Sequence, residues 1–358
     1  MDLEDRGQAS ARPRRPAVMA DVGRLAGVSH QTVSRVINGS RHVSPATRER
    51  VLAAMTELGY RPNSIARALV TGRSQTLGVV SFDTTLYGPA STLFGIERAA
   101  HEAGYFIIIA SLKALDRTSV GEALDRLRLQ SVDGILVIVS EQEAADALIE
   151  ARADLPLVAV EAGPPRGIPV VAVDQLAGAT AATRHLLDLG HRTIWHVAGP
   201  AKSMEAQLRT RAWRETVQAS RGCAPPPLVG DWSARSGYEL GRRLSVEASA
   251  TAVFVANDQM ALGVVRALHE AGRRIPQDVS VVGFDDIPEA PYFTPPLTTV
   301  RQDFAELGSR SLYVLVRAIE TFQAGGPAPA GSLIDPELVV RASTGAAPGA
   351  GARASRPG

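Results

Sequence analysis

Nine short apolar runs set the pattern of the chain beyond residue 75, at 76–82, 105–111, 134–140, 157–162, 170–173, 193–198, 252–256, 279–283 and 297–300. They are continuous rather than alternating, so both faces of each predicted strand must be covered. Helical stretches such as 91–103 and 180–189 separate them. Strands alternating with helices fold into α/β layers, here doubly wound parallel sheets, whose ligands bind beyond the carboxyl ends of the strands. Those ends are polar in this chain: Phe82-Asp83, Glu161, Asn257-Asp258, Asp285-Asp286 and Gln302-Asp303. At 358 residues the chain is too long for one typical core. A small head followed by a two-part body fits that length.

The head is written in residues 18–42, VMADVGRLAGVSHQTVSRVINGSRH. Val18, Val22 and Leu25 recur at helical spacing and predict one buried face. Gly27 ends that helix, and Ser29 is a suitable N-cap for the next. On the second helix Val33, Val36 and Ile37 point inward, which leaves His30, Gln31, Ser34 and Arg35 outward. Asn38-Gly39 closes it, and Ser44-Pro45 opens a third helix with Val51, Leu52, Met55 and Leu58 as its apolar stripe. Three short helices of this kind make a helix-turn-helix head, and glutamine and arginine are side-chain types that read base edges in the major groove.

Charge divides the chain in the same place. The first 75 residues carry 12 arginines and six carboxylates, a net of +6, whereas the remaining 283 carry 26 basic and 31 acidic side chains, a net of −5. A basic head on an acidic body is the footprint of phosphate binding. No run of about 18 apolar residues offers a membrane span, and residues 1–16 lack the apolar core of a secretory signal, so a cytoplasmic, nucleoid-associated protein is expected. The lone Cys223 excludes an internal disulfide and a thiolate metal cluster. Neither GxGxxG, GxxxxGK[ST], GxSxG nor HExxH occurs and the seven histidines are scattered, so no catalysis, metal or cofactor is expected. An exported sugar-binding protein would share such a body but needs an export signal and has no use for the head.

Several phrases carry a resemblance: AGVSHQTVSRVIN, HVSPATRERVLAAMTELGYRPN, LGHRTIWHVAGP, GDWSARSGY, VANDQMALG, DVSVVGFDD and PPLTTVRQDF. Through them, residues 17–342 resemble the LacI/GalR family of transcriptional repressors. The resemblance implies a disordered basic tail at 1–15, a helix-turn-helix domain at 16–62 and a hinge helix with linker at 63–75. A core similar to periplasmic sugar-binding proteins follows at 76–343, with a disordered tail at 344–358. Within the core it implies an N-subdomain of 76–173 plus 300–328 and a C-subdomain of 174–299 plus 329–343, crossed three times by the chain. A homodimer on double-stranded operator DNA is implied, through the helix at 91–103 and the segment near Tyr292-Phe293. The tail after Ser343 has no leucine heptads, so no tetramerising helix is expected.

The same resemblance assigns roles. His30, Gln31 and Arg35 match base-reading positions, and Ser29, Thr32, Ser34, Asn38, His42 and Thr47 match phosphate or edge contacts. Asn63, Ala66 and Leu69 match the hinge helix, where Leu69 would wedge into the minor groove. In the core, Arg209, Asn257 and Asp285 match a polar clamp and Trp232 a stacking residue, with Glu161 and Gln302 as further polar positions and Phe82, Leu86 and Pro89 on the opposite wall. Paired donors and acceptors beside an indole suit a pyranose. The implied function is repression of a carbohydrate operon, relieved when a galactoside-like sugar binds between the subdomains and releases a palindromic operator. A corepressor mechanism with a purine or another small metabolite is the alternative. His30, where lactose-type members carry an aromatic hydroxyl, and Glu161 and Phe82, where they carry a shorter acid and a small hydroxyl residue, leave operator sequence and sugar substituent open.

Overall fold

The computed structural model describes residues 17–37, 40, 42–61, 72–82, 84–112, 114, 116–141, 143–144, 146, 155–161 and 167–348. They form two units that divide after Ser74. The expected tail at 1–15, most of the expected hinge helix and the last ten residues lie outside the described residues.

The first unit holds α1 (Met19–Ala26), α2 (His30–Ile37) and α3 (Pro45–Glu57). Gly27 caps α1 in the left-handed conformation, which glycine adopts without a Cβ penalty. Thr32 N–H donates to Ser29 Oγ over 3.2 Å, and Thr47 N–H to Ser44 Oγ over 3.3 Å, so both expected caps form. The core consists of Val22, Ala26, Val33, Val36, Val51 and Ala54. Val18, Leu25, Leu52 and Leu58, expected inside, are 37–49% exposed. The six small side chains already fill the space where the three helices meet, and the larger leucines flank it.

The second unit contains two parallel sheets and a ribbon. The first sheet comprises β1 (Thr76–Ser81), β2 (Phe106–Ser111), β3 (Gly134–Ile138), β4 (Leu157–Val160), β5 (Val170–Val173) and β11 (Ser332–Ile334), in the order β11-β5-β4-β3-β1-β2. Leu77 and Val79 of β1 face α4 (Tyr87–Glu102) and α10 (Phe304–Gln323), while Val80 faces α5 (Arg117–Leu129). Successive strand residues point to opposite faces, so a continuous apolar run feeds two helix layers. The second sheet, in the order β7-β6-β8-β9, comprises β6 (Trp195–Ala198), β7 (Leu228–Val229), β8 (Ala252–Val255) and β9 (Ser280–Val282). Helices α8 (Ala234–Ser245) and α9 (Asp258–Glu270) cover one of its faces; α6 (Gln175–Asp188) and α7 (Met204–Ala219) cover the other. β10 (Thr299–Arg301) and β12 (Glu337–Val339) form the antiparallel ribbon.

The ladders move two expected boundaries. β11 pairs with β5 in the first sheet, so the last crossing falls between Ile334 and Glu337 rather than at 328/329. β10 pairs with β12 and bridges to Asp285 of the second half, so Val300 and Arg301 do not open the N-subdomain. β11 and β12, three residues each and outside any of the nine apolar runs, carry too little periodicity to be read from sequence. The expected tail from 344 is also shorter than thought. Thr344 Oγ1 lies 2.9 Å from His185 Nε2, Gly345 O lies 3.1 Å from His191 Nε2, and Ala347 N–H donates to Leu189 O over 2.9 Å.

One helix crossing positions the site directly. α4 and α10 touch at Gly95 and Gly308, where a Cβ on Gly95 would stand 2.2 Å from the Phe304 carbonyl oxygen. This close approach brings the first residues of both helices together, with Tyr87 and Phe304 edge to face at 5.7 Å between ring centroids.

Candidate functional site

In the head, His30, Gln31 and Arg35 are exposed on α2, and Ser34 and Thr32 are half-buried. Ser29 is the α2 cap and shares a hydroxyl contact with Thr32 at 3.0 Å; Thr47 accepts from Ser44 Oγ over 2.9 Å. These three side chains therefore hold the helix ends as well as standing beside the reading face. Arg48 fixes the turn after α2 by donating to Ser40 O over 2.8 Å. His42 is exposed; Asn38, Asn63, Ala66 and Leu69 lie outside the described residues.

In the second unit a cavity of about 510 Å³ lies between the two sheets. All nine core residues singled out from sequence line it: Phe82, Leu86, Pro89, Glu161, Arg209, Trp232, Asn257, Asp285 and Gln302. They arrive from strand ends, helix starts and crossings of both subdomains. Glu161 follows β4, Asn257 follows β8, Asp285 follows β9, and Gln302 sits in the second crossing. Glu161, Trp232 and Asp285 all have positive φ, at 61°, 72° and 113°. Such conformations cost non-glycine residues energy and are held where the surroundings impose them. Gly199 leaves the space that the Trp232 ring fills, since a Cβ there would stand 2.2 Å from the indole.

The polar floor is a closed circuit. Arg209 Nε donates to Gln175 Oε1 over 2.8 Å, Gln175 Nε2 to Gln302 Oε1 over 2.9 Å, and Gln302 Nε2 to Asp285 Oδ1 over 2.7 Å; Arg209 Nη1 stands 3.8 Å from Asp285 Oδ1. Arg209, Gln175, Asp285 and Gln302 are all buried, between 3% and 7% exposed. Gln175 follows the first crossing and Gln302 sits in the second, so the clamp also ties the crossings to each other. The Arg209 guanidinium stacks 3.7 Å over the Phe284 ring. Asn257 Oδ1 caps α9 through Met260 N–H, and its Nδ2 donates to Trp232 O, each over 3.0 Å. Asp285 and Asp286 point apart: Asp286 turns to Arg301 at 2.7 Å and Arg341 at 2.6 Å.

Burial pushes the Asp285 carboxyl up to about 6, against the pull of Arg209 and Gln302. Glu161 is pushed further, to about 8, first by burial and then by the charge of Glu205. Glu205, in the first turn of α7, rises to about 7 through burial, while Ser203 Oγ donates to it over 2.7 Å. Sequence reasoning missed Glu205, Gln175, Tyr87 and Phe304, all of which line the cavity. Their only signal was position, since each opens or nearly opens a helix that follows a sheet-to-helix turn.

A helix-turn-helix head joined to a two-subdomain core with a polar interdomain cleft defines a ligand-responsive DNA-binding regulator. The comparisons with known proteins agree. Residues 18–63 match the model of bacterial regulatory proteins of the lacI family, and residues 183–344 match a periplasmic binding protein-like domain. The lactose operon repressor of Escherichia coli (strain K12) is 34% identical over 336 residues, covering 93% of this chain and 92% of that protein. The HTH-type transcriptional repressor PurR of Haemophilus influenzae (strain ATCC 51907 / DSM 11121 / KW20 / Rd) is 34% identical over 334 residues, covering 91% and 98%. The crystal structure of the lac repressor dimer bound to operator and the anti-inducer ONPF superimposes with a TM-score of 0.81 at 34% identity, covering 93% of this chain and all of that one. The chain belongs to the LacI family of transcriptional regulators. Both of these relatives are repressors. Among the described residues, no helix is long and apolar enough to cross a membrane.

Proposed function

We propose that the protein is a cytoplasmic, nucleoid-associated homodimer that represses a carbohydrate-utilisation operon and leaves its palindromic operator when a sugar fills the interdomain cleft. The observation that carries this reading is the buried circuit of Arg209, Gln175, Gln302 and Asp285 beside Trp232. It offers fixed donors and acceptors to vicinal hydroxyls and an indole to the apolar face of a pyranose. His30, Gln31 and Arg35 read bases in each half-site, with Ser29, Thr32, Ser34, Asn38, His42 and Thr47 on the backbone and Asn63, Ala66 and Leu69 at the operator centre. The lac repressor structure is a dimer on operator, which supports the same assembly for this chain.

The test is a thermal-shift screen of mono- and disaccharides on the full chain, then titration of any hit against an operator selected from a randomised duplex pool. A ligand at a hundredfold excess over its Kd stabilises the folded state by about 2.7 kcal/mol. A stabilising sugar that lowers operator affinity is the expected result. A purine that stabilises the protein and raises operator affinity would establish corepression instead.

A further inference from the structure

The cleft holds more acid than a neutral sugar requires. Among the described residues, five carboxylates line it, Glu141, Glu161, Glu205, Asp231 and Asp285, against one cationic side chain, that of Arg209. Arg209 is already matched with Asp285 inside the buried circuit. Glu161 and Glu205 share only the pull of that same Arg209, and they belong to opposite walls, one at the carboxyl end of β4 in the first sheet and one in the first turn of α7 on the second. Glu205 has a single side-chain donor, Ser203 Oγ. Glu161 has no side-chain donor: both of its carboxyl oxygens are buried, and only the backbone N–H of Val173 approaches them. A buried carboxyl with so few donors is costly to ionise, and a neighbouring carboxylate adds to that cost. Such a group persists where a ligand supplies the missing partner.

Resting on the reading of this cleft as the effector site, we propose that the effector bears a protonated amine, an amino sugar by chemical class, whose ammonium group seats between Glu161 and Glu205. An ammonium has three donors and one positive charge, which satisfies both carboxylates at once. Its hydroxyls remain for the circuit below and its ring for Trp232. The placement joins the two walls, because a cation between Glu161 and Glu205 favours the ionised form of both and draws them to one point. A metal ion does not fill this role: among the described residues no three His, Cys, Asp or Glu side chains converge to hold one.

The test uses calorimetric titration of the full chain near neutral pH. The probes are D-galactosamine and D-glucosamine, their N-acetyl derivatives, the parent hexoses and the hexose 6-phosphates. An amino sugar is expected to bind at least about tenfold more tightly than both its N-acetyl derivative and its parent, with the phosphates weakest of all. Glu161→Gln and Glu205→Gln are each expected to remove most of that preference, and because Gln keeps the shape of Glu, a melting curve verifies that both variants fold. Hexoses that bind as well as the amines would overturn the amine and leave the sugar effector standing. A preference that survives both substitutions would equally overturn the seat between the glutamates. Binding by none of these probes would overturn the sugar reading along with it.

Discussion

Arg209 is both a ligand group and a structural one. It is buried against Asp285, Gln175 and the Ala256 carbonyl, so truncation removes a countercharge from Asp285 as well as a donor from the cleft. Arg209→Ala should abolish effector binding and destabilise the core by roughly 3 kcal/mol, the cost of breaking a buried pair from one side. Calorimetry and thermal melting read the two effects separately, and the head should keep its operator affinity. A variant that binds effector normally would remove Arg209 from the site. Glu161 predicts a pH effect of definite sign. Burial raises its folded value to about 8, so the folded state holds a proton that the unfolded chain releases near the ordinary glutamate range. Its stabilising contribution is present at low pH and is lost as pH rises toward about 8. Melting curves from about pH 5 to about pH 8 should therefore fall less steeply for Glu161→Gln than for the parent. Equal slopes would show that the carboxyl does not change protonation on folding.

At the level of elements, the crossing of α4 and α10 is set by two glycines with no room for a methyl group. Gly95→Ala must push the helices apart against backbone atoms, which cannot rotate away as a side chain can. A loss of about 1–3 kcal/mol is expected, visible as a lower Tm. Tyr87 and Phe304, at the starts of those helices, should shift with it, so effector affinity should fall too; unchanged affinity would detach the crossing from the cleft. The long strands were legible because residues such as Leu77, Val79 and Val80 fill both faces of a buried sheet. β7, β11 and β12 were not, because two or three residues have no period to detect. In the head, the expected stripe added Leu25, Leu52 and Leu58 to Val22 and Val51 by hydrophobicity, whereas the packing kept the two valines and took Ala26 and Ala54 by size. Glu161, Asn257, Asp285 and Gln302 were legible at strand ends, where backbone geometry leaves side chains facing a ligand, whereas Arg209, inside a helix, was legible only through the family resemblance. Gln175 and Glu205 open helices and read in sequence as ordinary first-turn residues, so only the fold reveals that they meet the others.

For the whole molecule, the proposed dimer implies two heads on inverted half-sites. Gln31→Ala should cost on the order of 1–3 kcal/mol and relax discrimination at one base pair per half-site. Uniform weakening across all sequences, measured on a panel of operator variants, would assign Gln31 to the phosphate backbone. Coupling must also be reciprocal: the factor by which effector weakens operator binding equals the factor by which operator weakens effector binding, typically 1–3 kcal/mol. Two titrations of the same complex that return different factors would exclude a single coupled equilibrium. The circuit between the crossings gives such coupling a polarity. A guanidinium can only donate and an ionised carboxylate can only accept, so between Arg209 and Asp285 both glutamine amides have one permitted orientation. It behaves as a one-way chain of dipoles with its sense fixed at the two ends. A hydroxyl that takes over one end leaves that sense unchanged, because the other end still orients both amides; only a ligand that engages both ends at once, and with them both crossings, can reverse it.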